Sequence, residues 1–337
     1  MTSVDAFPPA AGGHVVALCG GVGGAKLAAG LAAALDARRG TLTVAVNTGD
    51  DFEHLGLPVC PDLDSVLYAL GGLNDPVRGW GRADESWNFM AALAGLGGDD
   101  WFALGDRDLA VHVLRRHRLL RGDTLTAVTA AFAERCAIRA RLLPMSDDPV
   151  RTVVHTDAGA LPFQHYFVKH RCAPVVRAIA FAGAARARAN PHLLDALARP
   201  DLQAVVICPS NPYLSIDPIL AVPGIRDALH AARAPIVAVS PIVGGEAVKG
   251  PTAKIMRELG VEIAPSAVAA HYRDLLDGFG VDMLDAHEAA RIPVATDIAQ
   301  TVMRTAADRL ALAESVLGFA RALAVSGTHA AAAEAAR

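Results

Sequence analysis

Apolar residues fall into short unbroken runs separated by segments of helical period. HVVALC at 14–19, TLTVAV at 41–46, WFAL at 101–104, AVVIC at 204–208 and PIVAVS at 235–240 have the length and continuity of strands buried on both faces. Strand alternating with helix predicts an α/β fold: a doubly wound, Rossmann-like, mostly parallel sheet. The stretch from 141 to 177 breaks the rhythm. Within it, RTVVHTDAGALPFQHYFVKHR reads as two β pieces around an Asp-Ala-Gly turn, which predicts an inserted β-rich subdomain or lid. The chain then divides into a flexible leader (1–13), one domain (14–325) carrying that insertion, and a frayed tail (326–337) after an amphipathic helix over 308–323.

Composition narrows the class. The 337 residues are 53% hydrophobic and 20% charged, enough to bury a sizeable core. A net charge of −4 argues against nucleic acid as a partner held by bulk electrostatics. The local basic run LRRHRLLR at 114–121 is either the solvated end of a helix or a patch that steers an anionic substrate. Five cysteines, an odd number without a C-x-x-C pair, suggest neither a zinc site nor a disulfide frame. His155, His165 and His170 lack metal-ligand spacing and read as surface or packing residues. Neither a signal peptide nor a membrane span is legible, so a cytoplasmic location without membrane contact is expected.

In a doubly wound sheet ligands bind beyond the carboxyl ends of the strands, so the residues after each run carry the candidate chemistry. The first run meets GGVGGAKL, where Gly20, Gly21, Gly23 and Gly24 open a helix and Lys26 follows. Free N–H groups and the positive end of the helix dipole make such a turn an anion site. The P-loop would need Gly-Lys-Ser/Thr, and the dinucleotide fingerprint would need glycine where Lys26 stands, so an NAD-dependent oxidoreductase is disfavoured. The second run ends in NTGDDFEHLGL: Asn47, Thr48 and Gly49 turn the chain and Asp50 and Asp51 set two carboxylates side by side, an oxygen-only pair suited to Mg²⁺. Asp62 or Asp64 either caps the next helix or serves a metal site directly or through a neighbouring ligand, and Asp106 is positioned to cap the helix that follows LGDR. Arg107 either grips an anion or pairs with a neighbouring aspartate. Trp80, Trp87, Asn88 and Phe89 form an aromatic wall for a flat ring or pack in the core. Ser210 and Asn211 follow the fourth run; Ser240, the Gly244-Gly245 pair, Lys249 and Lys254 follow the fifth. Two glycine loops and several cations around one sheet edge suggest a polyphosphate.

Taken in order, GGVGGAKL, NTGDDFEHLGL, PDLDSVLYAL, LGDRDLA, SNPYLSIDPIL and SPIVGGEAVKGPTAKIM span about 20–256 and resemble the CofD family, the 2-phospho-L-lactate transferases of deazaflavin coenzyme biosynthesis. The resemblance implies transfer of a phosphorylated three-carbon acid from a guanosine diphospho-ester to the ribityl hydroxyl of the deazaflavin Fo, with GMP leaving and Mg²⁺ required. It implies Asp50 and Asp51 as metal ligands, one of them also a proton acceptor, residues 20–26 around the diphosphate or its guanosine half, and Asn47 and Thr48 among the binding residues. Asn88 and Arg107 would touch Fo or the transferred phosphate, while Ser210, Asn211, Ser240 and the Gly244-Gly245 loop would line the nucleotide side. The acid, whether lactate, enolpyruvate or glycerate, stays open, and a homodimer is compatible with this reading. The alternative is a non-catalytic nucleotide or nucleotide-sugar binding regulator on the same fold, similar to the gluconeogenesis-factor proteins, which would keep the glycine loop without needing the Asn-Thr-Gly-Asp-Asp turn.

Overall fold

The computed structural model describes residues 12–326; the leader over 1–11 and the tail over 327–337 lie outside the described residues. In chain order, β1 (His14–Cys19), α1 (Gly21–Ala37) and β2 (Thr41–Val46) make the first crossover. The hairpin β3 (Phe52–His54) and β4 (Leu57–Val59) leads to α2 (Pro61–Leu70), and α3 (Asn88–Gly95), α4 (Asp106–Leu120) and α5 (Leu125–Arg135) follow. Next come β5 (Arg141–Pro144), β6 (Arg151–Thr156), β7 (Gly159–Pro162), β8 (Val176–Ala182), α6 (Pro191–Leu197) and β9 (Leu202–Ile207). The last third holds α7 (Asp217–Leu220), α8 (Ile225–Ala231), β10 (Ile236–Val239), the hairpin β11 (Ile242–Val243) and β12 (Glu246–Ala247), and α9 (Thr252–Glu258). It closes with α10 (Pro265–His271), β13 (Gly278–Asp282), β14 (Ala295–Ala299) and α11 (Ala306–Ser326).

The main sheet has seven strands in the order β14-β13-β10-β9-β1-β2-β5, and neighbours run parallel throughout. This is the expected doubly wound α/β architecture. From β1 the chain winds outward to β2 and β5, then returns to β9 and winds the other way, which makes the β1/β9 boundary the topological switch point. Every residue of β1 is buried, as its uninterrupted apolar run requires. Alternation splits that run between two cores: Val16 and Leu18 join one side of the sheet, Val15, Ala17 and Cys19 the side covered by α1, α2 and α11. β6, β7 and β8 form a separate antiparallel sheet in the order β7-β6-β8.

Two expectations need correction. WFAL at 101–104 is not a strand; Trp101 and Phe102 sit in a bend and make tilted and edge-on contacts with Phe52 and His54, so their apolar character serves a local aromatic cluster. Arg141–Pro144 pairs with β2 in the main sheet, so the separate β unit begins only after it. The strands β13 and β14 carry no signal in the apolar pattern, because GFGVD and ATDIA mix glycine, alanine and acidic residues and lack a continuous apolar run.

Close packing fixes α1 against α11. A Cβ built on Gly30 would lie 2.1 Å from the carbonyl oxygen of Arg309, so only glycine lets the helices approach this far. Gly30→Ala is expected to cost about 1–3 kcal/mol by overpacking, read as a lowered denaturant midpoint at unchanged slope. At the base of β1, His14 is 4% exposed, its Nδ1 lies 2.8 Å from Thr41 Oγ1 and its Nε2 has no partner. Burial, with Arg199 adding repulsion, lowers its pKa to about 4. A histidine that charges at about 6.5 when unfolded but only near 4 when folded favours folding above pH 6.5 and loses that contribution as the pH falls towards 4. The drop in unfolding free energy between pH 7 and 4.5 should therefore be smaller by about 2 kcal/mol in His14→Gln than in the parent protein.

Candidate active site

The glycine turn sits at the switch point. Gly20 N-caps α1 without a side-chain bond and no acidic residue of α1 itself occupies the first turn; the Asp62 carboxylate of α2 accepts from Gly21 N–H at this helix end. Ser210, just past β9, holds the turn from both sides: its Oγ accepts from Gly20 N–H at 3.1 Å and donates to Gly20 C=O at 2.8 Å. A Cβ on Gly20 would come within 2.5 Å of Asp62 Oδ2 and 2.6 Å of Ser215 Cβ, which explains the absence of any side chain there. Asn211 points its Oδ1 back at Tyr213 N–H and Leu214 N–H (3.0 and 3.2 Å), leaving its Nδ2 buried without a partner.

The turn after β2 supplies the carboxylates, but it separates the Asp50-Asp51 doublet. Asn47 accepts Gly49 N–H on Oδ1 at 2.7 Å and donates from Nδ2 to Asp62 Oδ2 at 2.9 Å, tying the turn to the start of α2. Asp50 faces the cavity with Asp62 as its main charged neighbour. Burial first and the Asp62 charge second push its pKa well up, and one of its oxygens is buried without a partner. Burial likewise raises Asp62 to about 6. Asp51 does not line the cavity; it bonds the Cys60 thiol within the wall and is raised by burial to about 7. The acidic pair that shares the cavity is thus Asp50 with Asp62. Neither Asp62 nor Asp64 caps α2, whose N-cap Cys60 makes no side-chain bond.

Glycine turn, Lys26, Asp50, Asp62, Ser210, Asn211 and Ser240 line one cavity of about 620 Å³, within the range of small-molecule sites. Away from the glycine turn its lining is aromatic: Tyr68, Trp80, Trp101, Phe102, Phe163 and Phe167. The tilted and edge-on contacts of Trp101 with Phe52, His54 and His165 fix that wall.

A second acidic group lines the same cavity. Ligand atoms of Asp64, Asp108 and His112 lie within 4.8 Å of one another, the spacing of a metal site. A guanidinium already neutralises it: Arg115, 2% exposed, grips Asp64 through both terminal nitrogens, one of them at 3.1 Å, and donates to Pro58 C=O at 3.2 Å. Its Nη1 lies 3.2 Å from His112 Nδ1; because guanidinium only donates, Nδ1 accepts and the ring proton belongs on Nε2, 3.5 Å from Asp108. Tyr68 completes the group by donating to Asp108. Asp64 pushes the Arg115 pKa up, so this cation is permanent.

Several expected site residues lie elsewhere. Arg107 is half exposed and 3.8 Å from Asp84, an ordinary surface pair outside the cavity. Asn88 is exposed and donates to Asp106 at 3.1 Å. Asp106 caps α3, not its own helix: it accepts from Asn88 and Phe89 N–H at 3.2 and 3.0 Å. Glu85 caps α4 in exchange, accepting from Arg107 and Asp108 N–H at 2.7 and 2.8 Å. Gly24, Thr48 and Asn47 stand behind the cavity lining. Gly244 and Gly245 are the two left-handed residues of the β11–β12 turn and support the next segment, where Lys249 and Thr252 do face the cavity. In the basic run, Arg115 is buried, so the run is not simply a solvated helix end. The signal for it was the spacing of Asp108, His112 and Arg115, which share one face of α4. All five cysteines are free, and among the described residues no helix is long and apolar enough to cross a membrane.

Residues 15–311 match the model of the family described as 2-phospho-L-lactate transferase CofD. The phosphoenolpyruvate transferase of Kitasatospora aureofaciens is 45% identical over 322 residues, which is 90% of this chain and 98% of its own. The phosphoenolpyruvate transferase of Streptomyces griseus subsp. griseus is 46% identical over 289 residues, 84% of this chain and 89% of its own. Among solved structures, a UPF0052 family member from Bacillus halodurans superposes with a TM-score of 0.59 at 17% identity over 91% of this chain and 99% of its own, a likeness of fold. The family match and these relatives define an enzyme that transfers a phospho-group. The chain belongs to the 2-phospho-L-lactate transferase CofD family.

The Arg115 group makes a stability test. Arg115→Met strands two carboxylates in the wall and should cost about 3–5 kcal/mol, whereas the double variant Asp64→Leu/Arg115→Met should recover most of the loss in a urea titration.

Proposed function

We propose that the protein transfers a phospho-acid group from its guanosine diphospho-ester to the ribityl hydroxyl of the deazaflavin Fo, with release of GMP, in deazaflavin coenzyme biosynthesis. The observation that carries this reading is a single cavity that joins the glycine turn at the start of α1 and two carboxylates without a cation to a wall of aromatic rings. The first part suits a diphosphate and the second a flat tricycle. The names of the relatives support enolpyruvate as the acid.

The acceptor oxygen attacks the phosphorus that bears the acid, the bond from that phosphorus to the GMP oxygen breaks, and the hydroxyl proton passes to the Asp50 and Asp62 carboxylate pair. The residues present fit Mg²⁺: donors are all oxygen, Asp50 keeps a buried oxygen without a partner, and Asp62 stands beside it. When bound there, the ion would neutralise charge on the phosphoryl oxygens. The chain's own work is positioning. α1 N–H groups and Lys26 hold the diphosphate, Asn211 Nδ2 offers a fixed donor, and the Trp101 cluster orients the acceptor ring and excludes water. Asp51 supports the turn from within the wall.

Incubation with Fo, Mg²⁺ and the guanosine diphospho-esters of enolpyruvate, lactate and glycerate, followed by mass spectrometry, is expected to give GMP and an Fo adduct, best with the enolpyruvyl donor. No adduct from any donor would leave a nucleotide-binding protein without transferase activity towards Fo. Asp50→Asn should lower turnover by about 10²-fold or more with the melting temperature retained; turnover near that of the parent would remove Asp50 from the mechanism.

A further inference from the structure

Charge along the cavity wall is segregated. Asp50 and Asp62 stand without a cation, whereas Lys26 and Lys249, which line the same cavity, have no carboxylate within ion-pair distance among the described residues. Lys26 donates to Met303 C=O at 2.8 Å, which fixes its ammonium without neutralising it. Its pKa is lowered by burial first, then by the charges of Lys249 and Arg309, against a smaller opposing effect from Asp308. Asp308 is committed to capping α11, accepting from Arg304 and Thr305 N–H at 2.8 Å each. Arg309 adds a buried nitrogen without a partner. Cations that repel one another beside a cavity are relieved by an anion between them.

Lys249 reaches this position over the opposite wall. Its Nζ would lie 2.2 Å from a Cβ on Gly79, whose φ of +71° also favours glycine, and Trp80 of the aromatic wall is the next residue. The room left by Gly79 is filled by the ammonium.

The geometry points to Lys249, acting with Lys26, as a positioning and specificity residue that grips one anionic group of the donor and thereby ties the Gly79–Trp80 wall to the occupied site. This rests on the transferase reading for the identity of the donor, although the grip on an anion does not. The chemistry recognised is a carboxylate or phosphate oxygen, and it has two sources in a phospho-acid diphospho-ester: the carboxylate of the acid and the diphosphate.

Binding of GDP by calorimetry and the KM values for donor and Fo, measured for the parent, Lys249→Met, Lys249→Arg and Gly79→Ala, separate the cases. Loss of one charge-assisted contact is expected to raise the donor KM about tenfold in Lys249→Met, with the KM for Fo unchanged and partial recovery in Lys249→Arg. Gly79→Ala, which keeps the lysine but displaces it, should show the same selective effect. An equal weakening of GDP assigns the anion to the diphosphate, and unchanged GDP binding with a raised donor KM assigns it to the carboxylate. Donor KM and GDP affinity both unchanged in Lys249→Met overturn the inference. If the parent itself turns over no donor, the transferase reading fails, and GDP binding alone decides: weakened in Lys249→Met it upholds the grip on an anion, unchanged it overturns it.

Discussion

The site depends on the double hydrogen bond between Ser210 and Gly20. One hydroxyl satisfies both backbone groups of the residue that opens α1, and so locks the ends of β1 and β9 together where the winding direction reverses. A parallel sheet leaves a crevice at such a boundary; here the serine sets its width. With the turn held from below by Ser210 and from the side by Asp62, which accepts from Gly21 N–H, the start of α1 is presented to the cavity.

Around that crevice the protein treats two acidic groups differently. Asp64 and Asp108 are given a permanent internal cation in Arg115 and the His112 ring as a neighbour, so they are structural despite facing the cavity. Asp50 and Asp62 receive only amide and backbone donors and remain strained by burial and by each other. Two carboxylates left without a cation in a protein interior are expensive, and their persistence is understood if a ligand or ion supplies the missing positive charge.

Much of this was legible in the residues. The glycine turn, the acidic turn after β2 and the Ser210-Asn211 turn could be placed at strand ends because continuous apolar runs fixed β1, β2, β9 and β10. What spacing does not encode is side-chain direction within a turn: Asp50 and Asp51 are neighbours in sequence, yet one faces the cavity and the other the Cys60 thiol. Arg107 follows an apolar run and so has the sequence position of an anion grip, but that run is not a strand and the residue instead pairs with Asp84 at the surface. Trp101, Phe102 and Phe163 join the aromatic wall from segments distant in the chain, and only the fold brings them together.

The exchange of caps between Glu85 and Asp106 has its own consequence. Each residue closes the start of the helix that the other's segment precedes or belongs to, so α3 and α4 are latched reciprocally across the stretch that carries Trp87 and Asn88. Unfastening either carboxylate exposes amide groups on one helix and frees the segment that carries the cap of the other, so loss of one cap loosens the second and the pair should open, when it opens, as one cooperative panel.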